Sequence, residues 1–404
     1  MDKDLCSKCK GRGLCGKPCP ILNRFPLLGK IKTHFSGSSP PEIFVGRNDY
    51  PNLNTGILAP QEQGNTEDFS SPEKWFANNF SIANILRLRG KLVYARFKSQ
   101  IKDVRTGNNR FLKVMQEISM ADKKVDTEII LKKAPSQELN TDRISSVIGN
   151  PAPLLKARLE ENPHIPKKID YLTNDTDSKA QTALQELYHS QIPVSNIIKV
   201  LSAGLLGKKQ SRKLVPTRWA ITATDDTLSK LLLEKIRFYP EISQILLFHV
   251  YYVGNHYEFL LLPDKFSFEV MEAYMPESLW NQVSHTSLSI DYESFNGRKE
   301  YASQVTGAYY TARLALAEYL EKIKKQAACL VMREERKEYY APLGVGILRE
   351  AARAAFSQTP EIFPTIEEAL TKSQTRLQLP ISTFTSKSWL LKNYGKQTRL
   401  KKWI

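Results

Sequence analysis

The chain has 404 residues, of which 41% are hydrophobic and 25% are charged, a composition that is typical of folded proteins and excludes a largely disordered chain. At about 150 residues per domain, this length favours two or three domains over one small core. The net charge of +16 indicates a polyanionic partner such as nucleic acid, because basic side chains that neutralise phosphates release counterions. A basic protein without such a partner is the alternative.

The sequence shows no targeting segment and no membrane span. The N-terminal residues lack the apolar segment that a signal peptide carries. The most apolar stretch, residues 242–263, is interrupted by polar side chains. We therefore expect a cytoplasmic protein without a membrane partner.

The first part of the chain is predicted to begin with loops and to continue with strands. Residues 1–70 are rich in Pro, Gly, Ser and Asn, which favours loops that wrap over a folded body. Ser71 and Pro72 are the residue types that begin a helix. Partial alternation of apolar and polar residues predicts strands over 85–97 and 111–120.

The middle of the chain is predicted to change from helices to strands. Residues 140–215 have mainly helical apolar spacing, and residues 218–224 are predicted to form a strand. Asp225 or Asp226 would then cap a helix that ends near Tyr239. The clearest hairpin of the chain follows, and a third strand comes after it. These three strands are predicted at residues 244–253, 256–262 and 266–274.

The last hundred or so residues are predicted to be mostly helical. Helices are expected at residues 301–326, 346–356 and 365–372, with a short strand at 329–332 and a looser chain from Ser373 onward. The fold class is therefore α+β, with mixed helices and an antiparallel sheet. We divide the chain into four parts. A four-cysteine metal knuckle (1–35) is followed by a main α+β domain (36–290), a mostly helical C-terminal domain (291–385) and a basic flexible tail (386–404).

Four of the five cysteines form a C-x2-C-x5-C-x3-C cluster near the N-terminus. They are Cys6, Cys9, Cys15 and Cys19. In a reducing compartment such a cluster indicates metal rather than disulfides. Four thiolates suit a tetrahedral Zn²⁺ with no vacant position, so the site would be structural. An iron–sulfur cluster is the main alternative, and unligated thiols are the second. Cys329 lies among apolar residues and is predicted to be a core thiol.

The C-terminus matches the pattern Q-x-x-aliphatic-x-x-aromatic-hydrophobic of clamp-interacting peptides. The four specified positions are Gln397, Leu400, Trp403 and Ile404. One helical turn would gather the three apolar side chains into a plug for an apolar pocket. The last position departs from the usual pair of aromatics. A helix end that docks on the protein itself, or a basic tail that touches DNA, are the alternatives.

With both termini in view, the chain resembles the archaeal Nre (novel repair) family. The resemblance extends to three interior motifs, Gly149-Asn-Pro-Ala-Pro153, Val215-Pro-Thr-Arg-Trp-Ala-Ile-Thr222 and Tyr340-Ala-Pro-Leu-Gly344. It covers essentially the whole chain. It implies a large N-terminal and a smaller C-terminal region that meet near residue 290. It also implies a role in DNA damage repair with the sliding clamp PCNA as partner.

Two basic stretches, residues 87–113 and 204–224, are candidate nucleic-acid-binding segments. The first interleaves nine basic residues and one acid with aromatic side chains, and the second has five basic residues and no acid. Cations can follow a phosphate backbone while rings stack on bases. A solvated charged face is the alternative. The candidate residues are Arg87, Arg89, Lys91, Arg96, Lys208, Lys209, Arg212, Lys213 and Arg218.

Catalytic residues are weakly indicated. Adjacent carboxylates at Asp225 and Asp226, after a predicted strand and near Arg218, would suit Mg²⁺ beside a phosphate. A helix cap is the simpler interpretation of the two acids. No P-loop, helicase, kinase or Ser-hydrolase motif is present. We therefore expect a clamp-recruited DNA-binding repair protein. A DNA- or nucleotide-processing enzyme and a scaffold that links the clamp to other repair proteins are the alternatives.

Overall fold

The computed structural model describes residues 32–136, 139–140, 144–281 and 283–396, with the backbone alone for 139–140. The cysteine cluster and the four positions of the C-terminal motif lie outside these described residues. The described part forms two compact units. The N-terminal unit comprises residues 32–228 and 342–346, and the C-terminal unit comprises residues 229–341 and 347–396.

Both units mix helices with strands, which confirms the α+β class, but each six-stranded sheet contains one parallel pair, so the expectation of an antiparallel sheet is wrong in this respect. The strands of the described residues are β1 (His34–Ser39), β2 (Ile43–Val45), β3 (Asn52–Ala59), β4 (Val93–Gln100), β5 (Val125–Leu131), β6 (Leu139–Asn140), β7 (Ile148–Gly149), β8 (Pro151–Leu159), β9 (Ile245–Tyr252), β10 (Asn255–Leu262), β11 (Ser267–Tyr274), β12 (Ser287–Glu293), β13 (Ala328–Glu335) and β14 (Glu361–Phe363). The α-helices are α1 (Pro72–Ala77), α2 (Ile82–Gly90), α3 (Arg110–Met120), α4 (Lys167–Asn174), α5 (Ala180–His189), α6 (Val194–Ser202), α7 (Thr217–Ile236), α8 (Gly307–Ile323), α9 (Gly346–Ser357), α10 (Ile366–Gln374), α11 (Ser382–Thr385) and α12 (Trp389–Asn393).

The N-terminal unit is built on a six-stranded sheet with the order β1-β5-β8-β4-β3-β2. Neighbouring strands are antiparallel except β4 and β8, which are parallel. Buried and half-buried positions alternate along β5, because successive side chains of a strand point to opposite faces. Helix α3 contributes Leu112, Met115 and Ile118 to the core of this unit.

Residues 111–120 form helix α3, so the strand predicted there is wrong. The buried side chains recur every three residues, at Leu112, Met115 and Ile118, which is helical spacing. Asn109 caps the helix by accepting hydrogen bonds from the backbone N–H groups of residues 111 and 112. The strand predicted at 85–97 is correct only for its second half. Ser81 caps helix α2, and β4 begins at Val93.

The C-terminal unit is built on a second six-stranded sheet with the order β12-β11-β13-β10-β9-β14. The strands are antiparallel except β11 and β13, which are parallel. On one face, Phe248 of β9 packs against Tyr319 of α8 and Phe356 of α9. On the other, Leu247 belongs to a core shared with helices α10 to α12, in which Phe384 is fully buried. The sheet is therefore the middle layer of three.

Residues 218–224 belong to helix α7, so the strand predicted there is wrong. Asp225 and Asp226 lie inside this helix and do not cap it. Buried positions recur at Ala220, Leu228 and Leu232, with the spacing of one helical face. These buried residues form one stripe along the stretch, which is the pattern of a helix and not of a strand.

The predicted hairpin is confirmed with its turn moved by one residue. Asn255 pairs with Tyr252, so the two turn residues are Val253 and Gly254. Both have positive φ, +44° and +84°, as the favoured two-residue hairpin turn requires. A Cβ on Gly254 would lie 2.2 Å from the backbone nitrogen of Tyr339, so only glycine fits.

The predictions for the C-terminal part are largely confirmed. Strands β11 and β13 and helices α8, α9 and α10 all form at the predicted places, although α8 is shorter than expected. Cys329 is fully buried in β13, and this burial raises the pKa of its thiol well above the usual value. The looser chain expected from Ser373 onward is wrong as far as Lys396, because α11 and α12 form there and Leu390 is 2% exposed.

Candidate nucleic-acid interface

Two segments of the N-terminal unit, the loop 101–109 after β4 and the stretch 203–214 after α6, are joined by direct contacts. The backbone N–H of Leu214 donates to the carbonyl oxygen of Ile101 at 2.9 Å. The Nε of Arg105 donates to the carbonyl oxygen of Arg212 at 2.8 Å. These contacts bring together the two basic stretches that the sequence showed far apart.

Gly204 makes the close approach of the second segment possible. Its φ is +72°, and a Cβ there would lie 2.8 Å from the carbonyl oxygen of Lys213. The amide of Gln116 in α3 donates to the carbonyl oxygen of Ala203 at 3.1 Å, which fixes the start of the segment on the helix that follows the loop. The backbone around the basic side chains is therefore well supported.

The two joined segments and the start of α3 carry six exposed cations. They are Lys102, Arg110, Lys113, Lys208, Lys209 and Lys213. We call this set the basic surface. Exposed cations on a supported backbone can follow a phosphate chain without a prior rearrangement.

Arg212 is half-buried and holds the backbone that carries the basic surface, so it is not one of the exposed cations. Its guanidinium donates to the carbonyl oxygens of Gly207, Thr173 and Asp175. Burial lowers the pKa of Arg212. An arginine with this many carbonyl acceptors ties three chain segments together.

The acidic residues beside the basic surface are occupied by local hydrogen bonds. Asp103 accepts from the Ser99 hydroxyl and from the backbone N–H of Gln100, both at 2.9 Å. Asp175 accepts from the backbone N–H groups of residues 177 and 178, which lowers the pKa of its carboxyl. Both carboxylates thus serve as caps of turns rather than as partners of the exposed lysines.

The remaining candidate nucleic-acid residues lie elsewhere in the N-terminal unit. Arg89 is 3% exposed and donates to the carbonyl oxygens of Val147 and Phe69, so it has the position of a core residue. Lys91 pairs with Glu62 at 2.9 Å. Three more are exposed or half-buried on α2, β4 and α7, namely Arg87, Arg96 and Arg218.

Asp225 and Asp226 do not form the arrangement that suggested a magnesium site. Asp225 is fully buried inside α7, and Asp226 is half-buried on the next position of the same helix. Two successive helix positions point about 100° apart, so the two carboxylates do not converge on one ion. Within the described ranges, no three His, Cys, Asp or Glu side chains are arranged to hold a metal ion.

Three fully buried glutamates of the second sheet hold the C-terminal segment, residues 373–390, and sequence reasoning missed this role. Glu258 accepts two hydrogen bonds of 2.8 Å from the guanidinium of Arg376. Glu334 accepts from the backbone N–H groups of residues 378 and 379. Glu269 accepts from the backbone N–H groups of Trp389 and Leu390, at the start of α12. Each carboxylate lies in a strand whose eight residues are all buried or half-buried, and an acidic residue beside buried apolar residues is the signal that the sequence offered.

Glu258 lies at the centre of a charged cluster. His256 donates to it from the same strand at 2.8 Å, and His249 is directly opposite on β9. Burial raises the pKa of the Glu258 carboxyl, but the hydrogen bonds from Arg376 and His256 outweigh burial, so that this pKa lies below its usual value. Burial lowers the pKa of His249, with Arg376 acting in the same direction. Glu258 and Arg376 therefore form a structural ion pair in which the buried carboxylate has its hydrogen-bond donors.

None of the helices within the described ranges is both long and apolar enough to cross a membrane.

Comparison with known proteins assigns the chain to a family. The model of the archaeal Nre N-terminal region matches residues 14–281, and that of the Nre C-terminal region matches residues 293–403. The chain belongs to the archaeal Nre family, as its motifs had suggested. No solved structure matches it significantly.

Three DNA repair proteins are similar to this chain over most of their length. The chain is 35% identical over 396 residues to the DNA repair protein NreB of Archaeoglobus fulgidus, which covers 98% of each chain. It is 36% identical over 376 residues to the DNA repair protein NreA of the same organism, which covers 92% of this chain and 94% of that one. It is 35% identical over 327 residues to the DNA repair protein NreA of Haloferax volcanii, which covers 79% and 77%.

Proposed function

We propose that this Nre protein acts in DNA repair in the cytoplasm. In this proposal the sliding clamp PCNA recruits it through the C-terminal motif, and the basic surface binds DNA or a repair intermediate. The observation that carries the proposal is the contact between Arg105 and Arg212, because it combines two basic stretches into one surface. The names of its relatives supply the repair context.

The clamp part of the proposal rests on the pattern of the last eight residues. Gln397, Leu400, Trp403 and Ile404 have the spacing of a peptide that places three apolar side chains in one pocket. A large aromatic anchor can carry much of the affinity of such a peptide. The match to the model of the Nre C-terminal region extends to residue 403, so it includes Gln397, Leu400 and Trp403 but not Ile404.

The DNA part rests on charge and exposure. Each lysine that neutralises a phosphate releases counterions, so binding falls as salt rises. The basic surface carries no base-reading motif that we recognise, and we therefore propose contacts to the backbone of DNA without strong sequence preference. The four N-terminal cysteines would hold Zn²⁺ or, alternatively, an iron–sulfur cluster as a structural centre.

Calorimetric titration of the host's sliding clamp tests the recruitment. We expect micromolar or tighter binding by the full-length protein and loss of binding for Trp403→Ala, because the variant lacks the aromatic anchor. A Trp219→Ala variant is a matched control, since Trp219 is 44% exposed and lies outside the C-terminal motif. Equal binding by the protein and its Trp403→Ala variant would refute the clamp part.

Fluorescence anisotropy with labelled DNA tests the second part in the same preparation. We expect binding that weakens steeply between about 50 and 200 mM salt. Clamp binding without any DNA binding at the lower salt would refute the DNA part and favour a scaffold that links the clamp to other proteins.

A further inference from the structure

The C-terminal unit contains a cleft of about 400 Å³ between one end of its sheet and helix α12. This volume lies in the range of small-molecule sites, and it suits a single nucleotide but not a duplex. Six of the residues that line it are Lys265, Phe295, Trp389, Asn393, Tyr394 and Lys396. None of them was singled out by the sequence, because they come from three separate segments.

Three partly exposed aromatic residues, Phe295, Trp389 and Tyr394, are among those that line the cleft. Phe295 is half-buried, and Trp389 is half-buried and stacks on Tyr292 with ring centroids 4.6 Å apart and planes 11° apart. Tyr394 lines the cleft one turn further along the chain. Rings that are held in fixed stacks offer planar surfaces to a nucleobase at a low cost in conformational entropy.

The charge at the cleft is positive. The Nζ of Lys265 lies 5.5 Å from the centroid of the Phe295 ring, and the guanidinium carbon of Arg237 lies 5.8 Å from it. Lys396 is exposed at the rim. The acidic residue Asp264 also lines the cleft, and its carboxylate accepts the backbone N–H of Lys265 at 2.8 Å. Cations beside planar rings are the combination that recognises an anion with an aromatic group attached.

We propose that this cleft binds one nucleotide, with its base on the ring of Trp389 or Phe295 and its phosphate beside Lys265 and Lys396. The side-chain amide of Asn393 donates to the carbonyl oxygen of Trp389 at 2.7 Å, which leaves the amide oxygen to accept from a base. The ligand is either a free mononucleotide or an unpaired nucleotide of a DNA strand. The inference does not depend on clamp binding or on the basic surface.

The C-terminal motif is a less suitable occupant of the cleft. Residues 397–404 carry three cations and no acidic side chain, so they would bring further positive charge to Lys265 and Lys396. A nucleotide brings the opposite charge. The two occupants are distinguished by a truncated protein that ends at Lys396.

Isothermal titration of the full-length protein tests the proposal with three probes: dAMP, a 5′-phosphorylated tetranucleotide of thymidine, and inorganic phosphate. We expect submillimolar binding of dAMP or of the tetranucleotide. We expect at least a tenfold loss for Lys265→Gln, because Lys265 is exposed and its replacement removes the phosphate partner without disturbing the fold. Lys322→Gln is the matched control, since Lys322 is exposed on α8 of the same unit and does not line the cleft.

A second variant, Trp389→Leu, tests the stacking and separates a nucleotide site from a simple anion site. We expect it to weaken dAMP at least tenfold. Binding of dAMP identifies a free mononucleotide, whereas binding of the tetranucleotide alone identifies an unpaired nucleotide of a strand, and either supports the proposal.

Four results would overturn it. Phosphate that competes as well as dAMP would reduce the cleft to an anion site. Binding that survives Lys265→Gln and Trp389→Leu, or no binding of any probe, would remove the cleft from consideration. Binding by the truncated protein alone would identify residues 397–404 as the occupant. Lys265 and Trp389 line the cleft and belong neither to the basic surface nor to the C-terminal motif, so the effects of the two variants are independent of the proposed clamp and DNA contacts.

Discussion

The guanidinium Nε of Arg105 donates to the backbone oxygen of Arg212 at 2.8 Å, across 107 positions of the chain. A cation that could have faced solvent is used here to join two loops. The lysines on either side of the contact, Lys102 and Lys213, remain exposed. Arg105 and Arg212 therefore hold the backbone, while Lys102 and Lys213 present positive charge to solvent.

Replacing Lys102 and Lys213 together by Gln is expected to weaken DNA binding. Each lysine that neutralises one phosphate contributes about 0.9 to the slope of log affinity against log salt, so the double variant should lower that slope by up to about 1.8. Anisotropy titrations at several salt concentrations measure it. Lys322→Gln with Lys337→Gln removes the same charge from exposed positions of the C-terminal unit and serves as the control. An equal effect of both pairs would mean that net charge alone, and not the basic surface, controls binding.

Arg376→Met is expected to destabilise the C-terminal unit by about 3–5 kcal/mol, because it leaves the buried carboxylate of Glu258 without its main partner. Glu258→Leu combined with Arg376→Met should be less destabilising than Arg376→Met alone, since an apolar pair leaves no buried charge. Urea unfolding at pH 7 measures both. A double variant that is no more stable than the single one would contradict the ion-pair interpretation.

The same pair gives a pH dependence with a defined sign. The pKa of Glu258 is lower in the folded protein than its usual value, so the fold is stabilised above the usual carboxyl range and loses this contribution as pH falls through the lowered pKa. We expect a smaller loss of stability below about pH 4 in the Glu258→Leu, Arg376→Met variant than in the wild-type protein. Thermal unfolding across pH 3–7 measures this. Parallel curves for the two proteins would contradict it.

Glu269→Gln is expected to loosen the attachment of α12. The carboxylate accepts the backbone N–H groups of Trp389 and Leu390 and the hydroxyl of Ser388 through both of its oxygens, whereas a glutamine amide has only one oxygen that can accept. Hydrogen exchange should increase in residues 388–394 by about tenfold or more, which corresponds to at least 1.4 kcal/mol. Glu367→Gln, at an exposed position of α10, is the control. Unchanged exchange in Glu269→Gln would show that apolar packing alone holds the helix.

Thiol chemistry should distinguish the N-terminal cysteine cluster from Cys329. If the cluster binds a metal, then removing it with a chelator should expose four reactive thiols and release one equivalent of zinc or the iron of a cluster. Cys329 should react only after unfolding, because it is fully buried and burial raises its pKa well above the usual value. Titration with a chromogenic disulfide counts the thiols in each state. Four reactive thiols before chelation would contradict a metal site.

Sequence periodicity predicted the second sheet better than the first. Strands β9 to β11 and β13 are long apolar runs between clear turns, and the positive φ of Val253 and Gly254 matches a standard hairpin turn. In the first unit, the basic residues obscured the helical spacing of α3. Its buried apolar positions recur every three residues, but the apolar–basic–apolar run Leu112, Lys113, Val114 also resembles strand alternation.

The candidate sites were predictable only where they are local in sequence. The cysteine cluster and the terminal motif are short patterns, whereas the basic surface exists only because Ile101 and Leu214 pair across the fold. The cleft likewise depends on residues just before β11, just after β12 and in and after α12, which meet at the end of a sheet. Single-sequence patterns do not contain such long-range pairings.

The anchoring of α12 by Glu269 restricts where a bound clamp can lie. Residues 394–396 alone separate the last described helix, Trp389–Asn393, from the first position of the terminal motif. Three extended residues span at most about 11 Å. A clamp that binds residues 397–404 would therefore lie close to the C-terminal unit. The short connection would limit the range of orientations that the protein can adopt relative to the clamp. It would also limit which other proteins can bind the same clamp subunit at the same time.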